Sequence, residues 1–143
     1  MAGSEVTLIG NVTNDPELKY TAQGAARLAF SIAVNHYWTD ANDEKQERTS
    51  FFNVAAWRYL AEDAANVLEK GVGVIIQGRL EQRTWEDNEG NKRSSIDVLA
   101  NHVGLQVRSV ESFERKRRTE GDKTVSPKRA ASPRNAAQDD EPF

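Results

Sequence analysis

A chain of 143 residues is long enough for one domain whose core needs no covalent staples. It contains no cysteine, which excludes a disulfide framework, a thiol nucleophile and thiolate metal sites. Its net charge of −3, from 19 basic and 22 acidic residues, means that any contact with a polyanion must rest on local clustering and stacking, not on bulk charge. The charge is unevenly spread, with 11 basic and 16 acidic side chains in residues 1–112 and 8 basic and 3 acidic in residues 113–134. Met1 to Glu5 lacks the basic and apolar regions of a signal peptide, and no apolar run approaches the roughly 18 residues of a membrane span. A cytoplasmic protein without membrane contact is therefore expected.

In chain order, Val6, Leu8, Gly10 and Val12 alternate with Thr7, Ile9 and Asn11, the pattern of a strand. Asn14-Asp15-Pro16 breaks it, because proline cannot continue a central ladder. A short Leu18-Lys19-Tyr20 segment and a Gln23-Gly24 turn lead to a long strand, Arg27 to Trp38, with Leu28, Phe30, Ile32 and Val34 on its core face. Strict alternation puts Trp38 on that face as well, but at the strand's end, beside the polar run from Asp40 to Arg48, the pleat has room to slip. Residues 40–47 contain no apolar side chain larger than alanine and are expected to form a mobile hairpin tip. Thr49 to Trp57 follows as a third strand. Leu60, Ala64, Val67 and Leu68 then fall at helical spacing, predicting one helix of about ten residues. Period two returns in Val72, Val74, Ile76 and Leu80, set against Ile75, Gln77, Arg79, Arg83 and Trp85. Asp87-Asn88-Glu89-Gly90-Asn91 supplies a hairpin turn, and Ser94 to Val107 is the last strand, where Gly104 suggests a bulge or bend.

Five strands with one helix between the third and fourth is the order of an all-β Greek-key barrel, the OB-fold, here spanning residues 1–112. Beyond it, Arg115-Lys116-Arg117-Arg118, two Ser-Pro pairs and few apolar residues predict a disordered basic linker over 113–138. Asp139, Asp140, Glu141, Pro142 and Phe143 then form an acidic tip. A terminal phenylalanine preceded by acids suits an apolar pocket with a basic rim on a partner protein.

The third strand carries the most informative pattern. Phe52, Val54 and Ala56 form an apolar face, whereas Phe51, Asn53, Ala55 and Trp57 set two large rings around small or polar residues, an odd way to build a core. Rings held apart on a rigid strand can stack on unpaired bases. A second reading, with both faces buried in a sandwich or one face in a subunit contact, fits this strand alone equally well. The other two tryptophans, Trp38 and Trp85, also lie at strand ends beside polar loops, which favours stacking over core filling. Arg27, Arg79, Arg83, Lys92 and Arg93 are candidates for phosphate contacts between the rings. His36 and His102 lack metal-ligand companions, Gly71-Val72-Gly73 is not followed by Gly-Lys-Ser/Thr, and no nucleophile motif is present. Neither a metal, a cofactor nor an enzymatic activity is expected.

Several blocks together resemble the bacterial single-stranded DNA-binding protein family. These are Leu8 to Val12 with Asp15-Pro16-Glu17, Asn35 to Asp40, Thr49 to Glu62, Lys70-Gly71, Gly78-Arg79-Leu80 to Trp85, and the final Asp139 to Phe143. The resemblance implies a homotetramer that wraps single-stranded DNA, with Trp38, Phe51, Trp57 and Trp85 at the base-stacking positions. It also implies recruitment of replication, recombination and repair proteins through the tip. Asn53, Tyr59 and Glu81 stand where the family often carries basic residues, so fewer phosphate contacts and a shallower salt dependence are expected. Glu141 replaces a usual aliphatic residue, and the spacer is short and basic, which suits a specialised paralogue. The basic segment from Arg115 to Arg118 has three open readings: contact with DNA, contact with the acidic tip, or linker solubility. An alternative of another class is an OB-fold interaction subunit of a replication-restart complex, its aromatic faces buried against partners.

Overall fold

The computed structural model describes residues 3–116, so the acidic tip and nearly all of the expected linker lie outside the described residues. The compact unit ends at Glu111. It contains β1 (Glu5–Val12), β2 (Glu17–Tyr20), β3 (Ala26–Thr39), β4 (Lys45–Trp57), α1 (Arg58–Val67), β5 (Gly73–Glu86) and β6 (Lys92–Leu105). The sheet runs β1-β5-β6-β4-β3-β2, and β1 also pairs with β3 through Asn11–Ala33 and Val12–Ile32. That second pairing closes β1, β5, β6, β4 and β3 into the expected five-stranded barrel. The short Leu18-Lys19-Tyr20 segment belongs to the extra strand β2, an edge hairpinned onto β3. In chain order the helix consequently follows the fourth strand rather than the third. All pairings are antiparallel except a two-residue parallel seam between β4 and β6, Val54–Val98 and Ala55–Leu99.

Period-two patterning fills the barrel. Leu28, Phe30 and Ile32 of β3, Val54 and Ala56 of β4, Val74 and Ile76 of β5 and Val98 of β6 are all buried, with Val12 of β1 beside them. Burying each larger aliphatic side chain contributes about 1.5–3 kcal/mol. The helix covers the core with Ala61, Ala64 and Leu68, spaced three and four residues apart. Val67, expected on that face, ends the helix 54% exposed; the residues near it on the buried side are the small alanines.

Three departures from the sequence pattern fall along the β5–β6 ladder. The irregularity in the last hairpin lies between Gln77 and Gly78, which pair with His102 and Ala100 and leave Asn101 as the extra residue. It is not at Gly104, which stays in regular register opposite Ile75. Past this bulge the β5–β6 ribbon leaves the barrel, and every residue from Arg79 to Glu86 is exposed, including Leu80, which alternation had placed in the core. At the other end β6 stops at Leu105. The Gln106 amide nitrogen Nε2 donates to the carbonyls of Gly10 (3.1 Å) and Val74 (3.4 Å), and the Gly73 amide donates to Ser109 Oγ at 2.8 Å. A 3-10 turn, Val107–Ser109, replaces the predicted end of that strand.

Candidate nucleic-acid interface

The β3–β4 ladder is unbroken from Arg27–Trp57 to Thr39–Lys45, and this decides which rings share a face. With Leu28, Phe30, Val54 and Ala56 pointing inward, Arg27, Phe51, Asn53, Ala55 and Trp57 lie on the outer surface of the barrel. On β5, Arg79, Arg83 and Trp85 share the outer register, since Leu80 between them pairs with inward-facing Val98. Phe51 is 69%, Trp57 37% and Trp85 43% exposed, so none of these rings is sealed in the interior. Trp38 is exposed too, but the pleat does not slip. It stays in register opposite Gln46, on the face continuous with the barrel interior, and is carried beyond the core by the length of the hairpin. Three of the four candidate rings therefore share the outward register, Phe51 and Trp57 on the barrel and Trp85 on the projecting β5–β6 ribbon, and Trp38 occupies the reverse side of the β3–β4 ribbon.

Each tryptophan has a guanidinium beside it. Arg27 lies 5.7 Å from the Trp57 ring centre, Arg83 4.9 Å from Trp85 and Arg48 5.5 Å from Trp38. Such pairs place a positive charge beside an exposed aromatic plane. Arg48 was not among the sequence candidates. Its signal was the spacing of the hairpin, which sets Arg48 opposite His36, two residues from Trp38 on the same face, and the His36 and Trp38 rings are 5.9 Å apart. The remaining cations are partly committed: Arg79 pairs with Glu81 (3.3 Å), Arg83 with Asp97 (3.3 Å) and Arg93 with Asp87 (2.9 Å). Arg27 and Lys92 form no ion pair among the described residues. Exposed pairs of this kind contribute little to stability, but they lower the positive charge offered to phosphates.

The two projecting hairpins are built alike. Trp38-Thr39-Asp40 and Trp85-Glu86-Asp87 both end a strand with tryptophan two residues before an aspartate that closes the turn. Asp40 Oδ1 accepts from the amides of Asn42 and Glu44, and Oδ2 from the Gln46 side chain, each at 2.9 Å. Asp87 Oδ1 accepts from the amides of Glu89 and Asn91, and Oδ2 from Arg93 Nε, again at 2.9 Å. The amide of Glu44 in one turn, and of Asn91 in the other, is the main cause holding each carboxyl below its ordinary pKa. Three residues after each aspartate the backbone turns left-handed, at Asp43 (φ 63°) and Gly90 (φ 82°). The tip at 40–47 is thus a capped turn, and the repeated Trp-x-Asp was its signal in the sequence.

Between the rings the outer surface opens into a cleft of about 530 Å³. Ala29 and Ala55, partners across β3 and β4, floor it; Arg27, Ser31 and Asn53 stand at its ends, and Arg83 and Asp97 line it from β5 and β6. Asn14, after β1, fixes the rim by accepting from the Ser31 amide at 3.1 Å and its hydroxyl at 3.2 Å, and the Thr13 and Ser31 hydroxyls are in contact. The surface so defined is a small OB-fold barrel bearing open aromatic planes, guanidinium groups and an open cleft.

Comparison with known proteins gives the same class. The profile of the single-strand binding protein family matches residues 4–106, and this chain belongs to that family. Over 107 residues it is 44% identical to a single-stranded DNA-binding protein of Deinococcus radiodurans, covering 75% of this chain and 35% of the relative. It is 41% identical to single-stranded DNA-binding protein 2 of Streptomyces coelicolor over 112 residues, 76% of this chain and 56% of that one. These matches span less than two thirds of either relative. A single-stranded DNA-binding protein of Paenarthrobacter nicotinovorans aligns over 96% of this chain and 83% of its own length at 35% identity. Among solved structures, the small single-stranded DNA-binding protein of Streptomyces coelicolor superposes with a TM-score of 0.63 at 33% identity, covering 76% of this chain and 98% of that one. The Plasmodium falciparum SSB complex with ssDNA shares the fold, with a TM-score of 0.68 at 24% identity over 74% and 97% of the two chains.

Proposed function

We propose that this protein is a non-enzymatic, largely sequence-independent binder of single-stranded DNA. The observation that carries this reading is the set of three open, outward-facing rings, Phe51 and Trp57 on the barrel and Trp85 on the β5–β6 ribbon, with Arg27 and Arg83 over the two indoles. Bases stack on the rings and phosphates meet the guanidinium groups; in a duplex the base faces are already covered, so single strands are selected. Arg79, Lys92 and Arg93 extend the phosphate track, and Trp38 with Arg48 takes a further stretch of strand on the reverse side of the hairpin. Membership of the family and the names of its relatives support the same reading. The test is tryptophan emission during addition of oligo-dT, alone and annealed to oligo-dA. Strong quenching by the single strand and little by the duplex is expected; equal or absent quenching removes the reading and favours an interaction subunit.

Coating of exposed strands in replication, recombination and repair follows as the cellular role, in the cytoplasm at the nucleoid. Assembly as a homotetramer is supported by Ile9 and Ile75, cross-strand partners on β1 and β5 that leave an apolar strip open to solvent. Light scattering is expected to report four copies, and a monomer contradicts this. Recruitment of repair and replication proteins through Asp139, Asp140, Glu141, Pro142 and Phe143 rests on the sequence of the tip. Its deletion is expected to abolish capture of such partners on protein-coated DNA; unchanged capture rules it out.

A further inference from the structure

We infer that the cleft between Trp57 and Phe51 is a guanine-reading subsite, in which Asp97 accepts hydrogen bonds from the base and an arginine donates to it. The inference rests on the single-strand binding proposed above and refines it. A surface that only stacks needs flat rings and a smooth floor. This cleft has the smooth floor, Ala29 and Ala55, but adds hydrogen-bonding groups around it. Asn53 makes no side-chain hydrogen bond among the described residues. Asp97 is largely buried, its side chain 18% exposed, and a carboxylate beside a phosphate track opposes the charge of the ligand.

The two oxygens of Asp97 are used unequally. Oδ2 accepts from Arg83 Nε at 3.3 Å, and Arg83 also donates to Ser95 Oγ at 3.3 Å. Oδ1 is buried with no donor among the described residues. Buried polar atoms without a partner are uncommon in folded proteins, and the residue that carries this one lines an open cleft. Movement of Arg83 onto the ligand frees Oδ2, which leaves both oxygens to be satisfied by donors from a base.

Among the four bases, guanine alone presents two adjacent donors on one edge, N1–H and the N2 amino group, and two adjacent acceptors, O6 and N7, on another. A carboxylate fits the first bidentately and a guanidinium fits the second. Thymine sets one donor between two carbonyl oxygens, and adenine and cytosine set one amino group beside a ring nitrogen acceptor. Each of these turns at least one lone pair toward the second carboxylate oxygen. Asp97 with Arg83 or Arg27 therefore complements guanine on both sides of a slot walled by Trp57.

The experiment titrates the full-length protein with a thymidine oligonucleotide and with strands of equal length carrying guanine, adenine or hypoxanthine at every third position, in lithium buffer to prevent quadruplexes. Affinities are taken from midpoints rather than quenching amplitudes. Guanine strands are expected to bind at least about fivefold more tightly than thymidine or adenine strands. Hypoxanthine, which lacks the N2 amino group, is expected to lose most of that gain, and in Asp97→Asn the guanine-to-thymidine ratio is expected to fall to about one. Equal midpoints for guanine, thymidine and hypoxanthine strands in the unaltered protein overturn the subsite while leaving single-strand binding intact, as does a guanine preference that persists in Asp97→Asn. If no strand of any composition binds, the failure lies in the single-strand reading itself, and the subsite falls with it.

Discussion

Gly78→Ala is expected to lower the free energy of unfolding by about 3 kcal/mol, at the upper end of the cost of overpacking a well-packed site. A methyl group at this position would press into the carbonyl oxygen of Leu99 and lie 2.9 Å from the Leu99 carbonyl carbon and the Ala100 Cα. All three are backbone atoms of β6, so no side chain can swing aside to make room. The position is also the bulge at which the β5–β6 ribbon leaves the barrel carrying Trp85, so relief of the clash shifts the outer surface as well. Gly104→Ala in the same ladder serves as the comparison, because the nearest atom to its new methyl is the Ile75 carbonyl oxygen at an ordinary 3.9 Å. Urea denaturation should show a clearly lower midpoint for Gly78→Ala and a small change for Gly104→Ala; equal midpoints would show that β6 accommodates the methyl group freely.

The barrel was legible because its strands alternate strictly where they line the core. Leu28, Phe30 and Ile32, or Val54 and Ala56, announce an inside and an outside from spacing alone, and the change to helical spacing after Trp57 marks the one helix. Alternation fails as a guide where a strand outlives the barrel. Leu80 and Trp38 keep the parity of core residues but sit on ribbons with nothing packed over them, and burial depends on that tertiary fact rather than on the local pattern. The bulge was misplaced for a related reason. Two strand glycines could mark it, Gly78 on β5 and Gly104 on β6, and only the ladder shows that the register shifts at Gly78 while Gly104 stays paired with Ile75.

At the site, the rings could be read from residue type and position, because large aromatics at strand ends beside polar loops are poorly placed to fill a core. Arg27 and Arg83 could be read as nearby cations, and the hairpin spacing puts Arg48 close to Trp38. Asp97 against Arg83 could not be read, because that proximity depends on the register of the β5–β6 ladder, which sequence spacing alone leaves open. The shallow salt dependence expected from Asn53, Tyr59 and Glu81 gains a structural reason, since Arg79, Arg83 and Arg93 each already hold a carboxylate.

Trp57→Ala carries the second large effect. The side chain lies outside the core, opposite Arg27, at the junction of β4 with α1, so truncation removes a stacking plane and the support of one guanidinium without opening a cavity in the barrel. A stacking contact is worth about 1–3 kcal/mol per base, a magnitude taken over from single-strand-binding OB-folds as a class, this family among them. That corresponds to roughly 5- to 150-fold in affinity. A titration of the unaltered protein and of Trp57→Ala with oligo-dT at moderate salt, followed by the emission of the remaining tryptophans, tests the account most directly. Tight, strongly quenching binding by the unaltered protein and a midpoint at least about fivefold higher for the variant are expected. Coincident midpoints, with the variant folded, would contradict it.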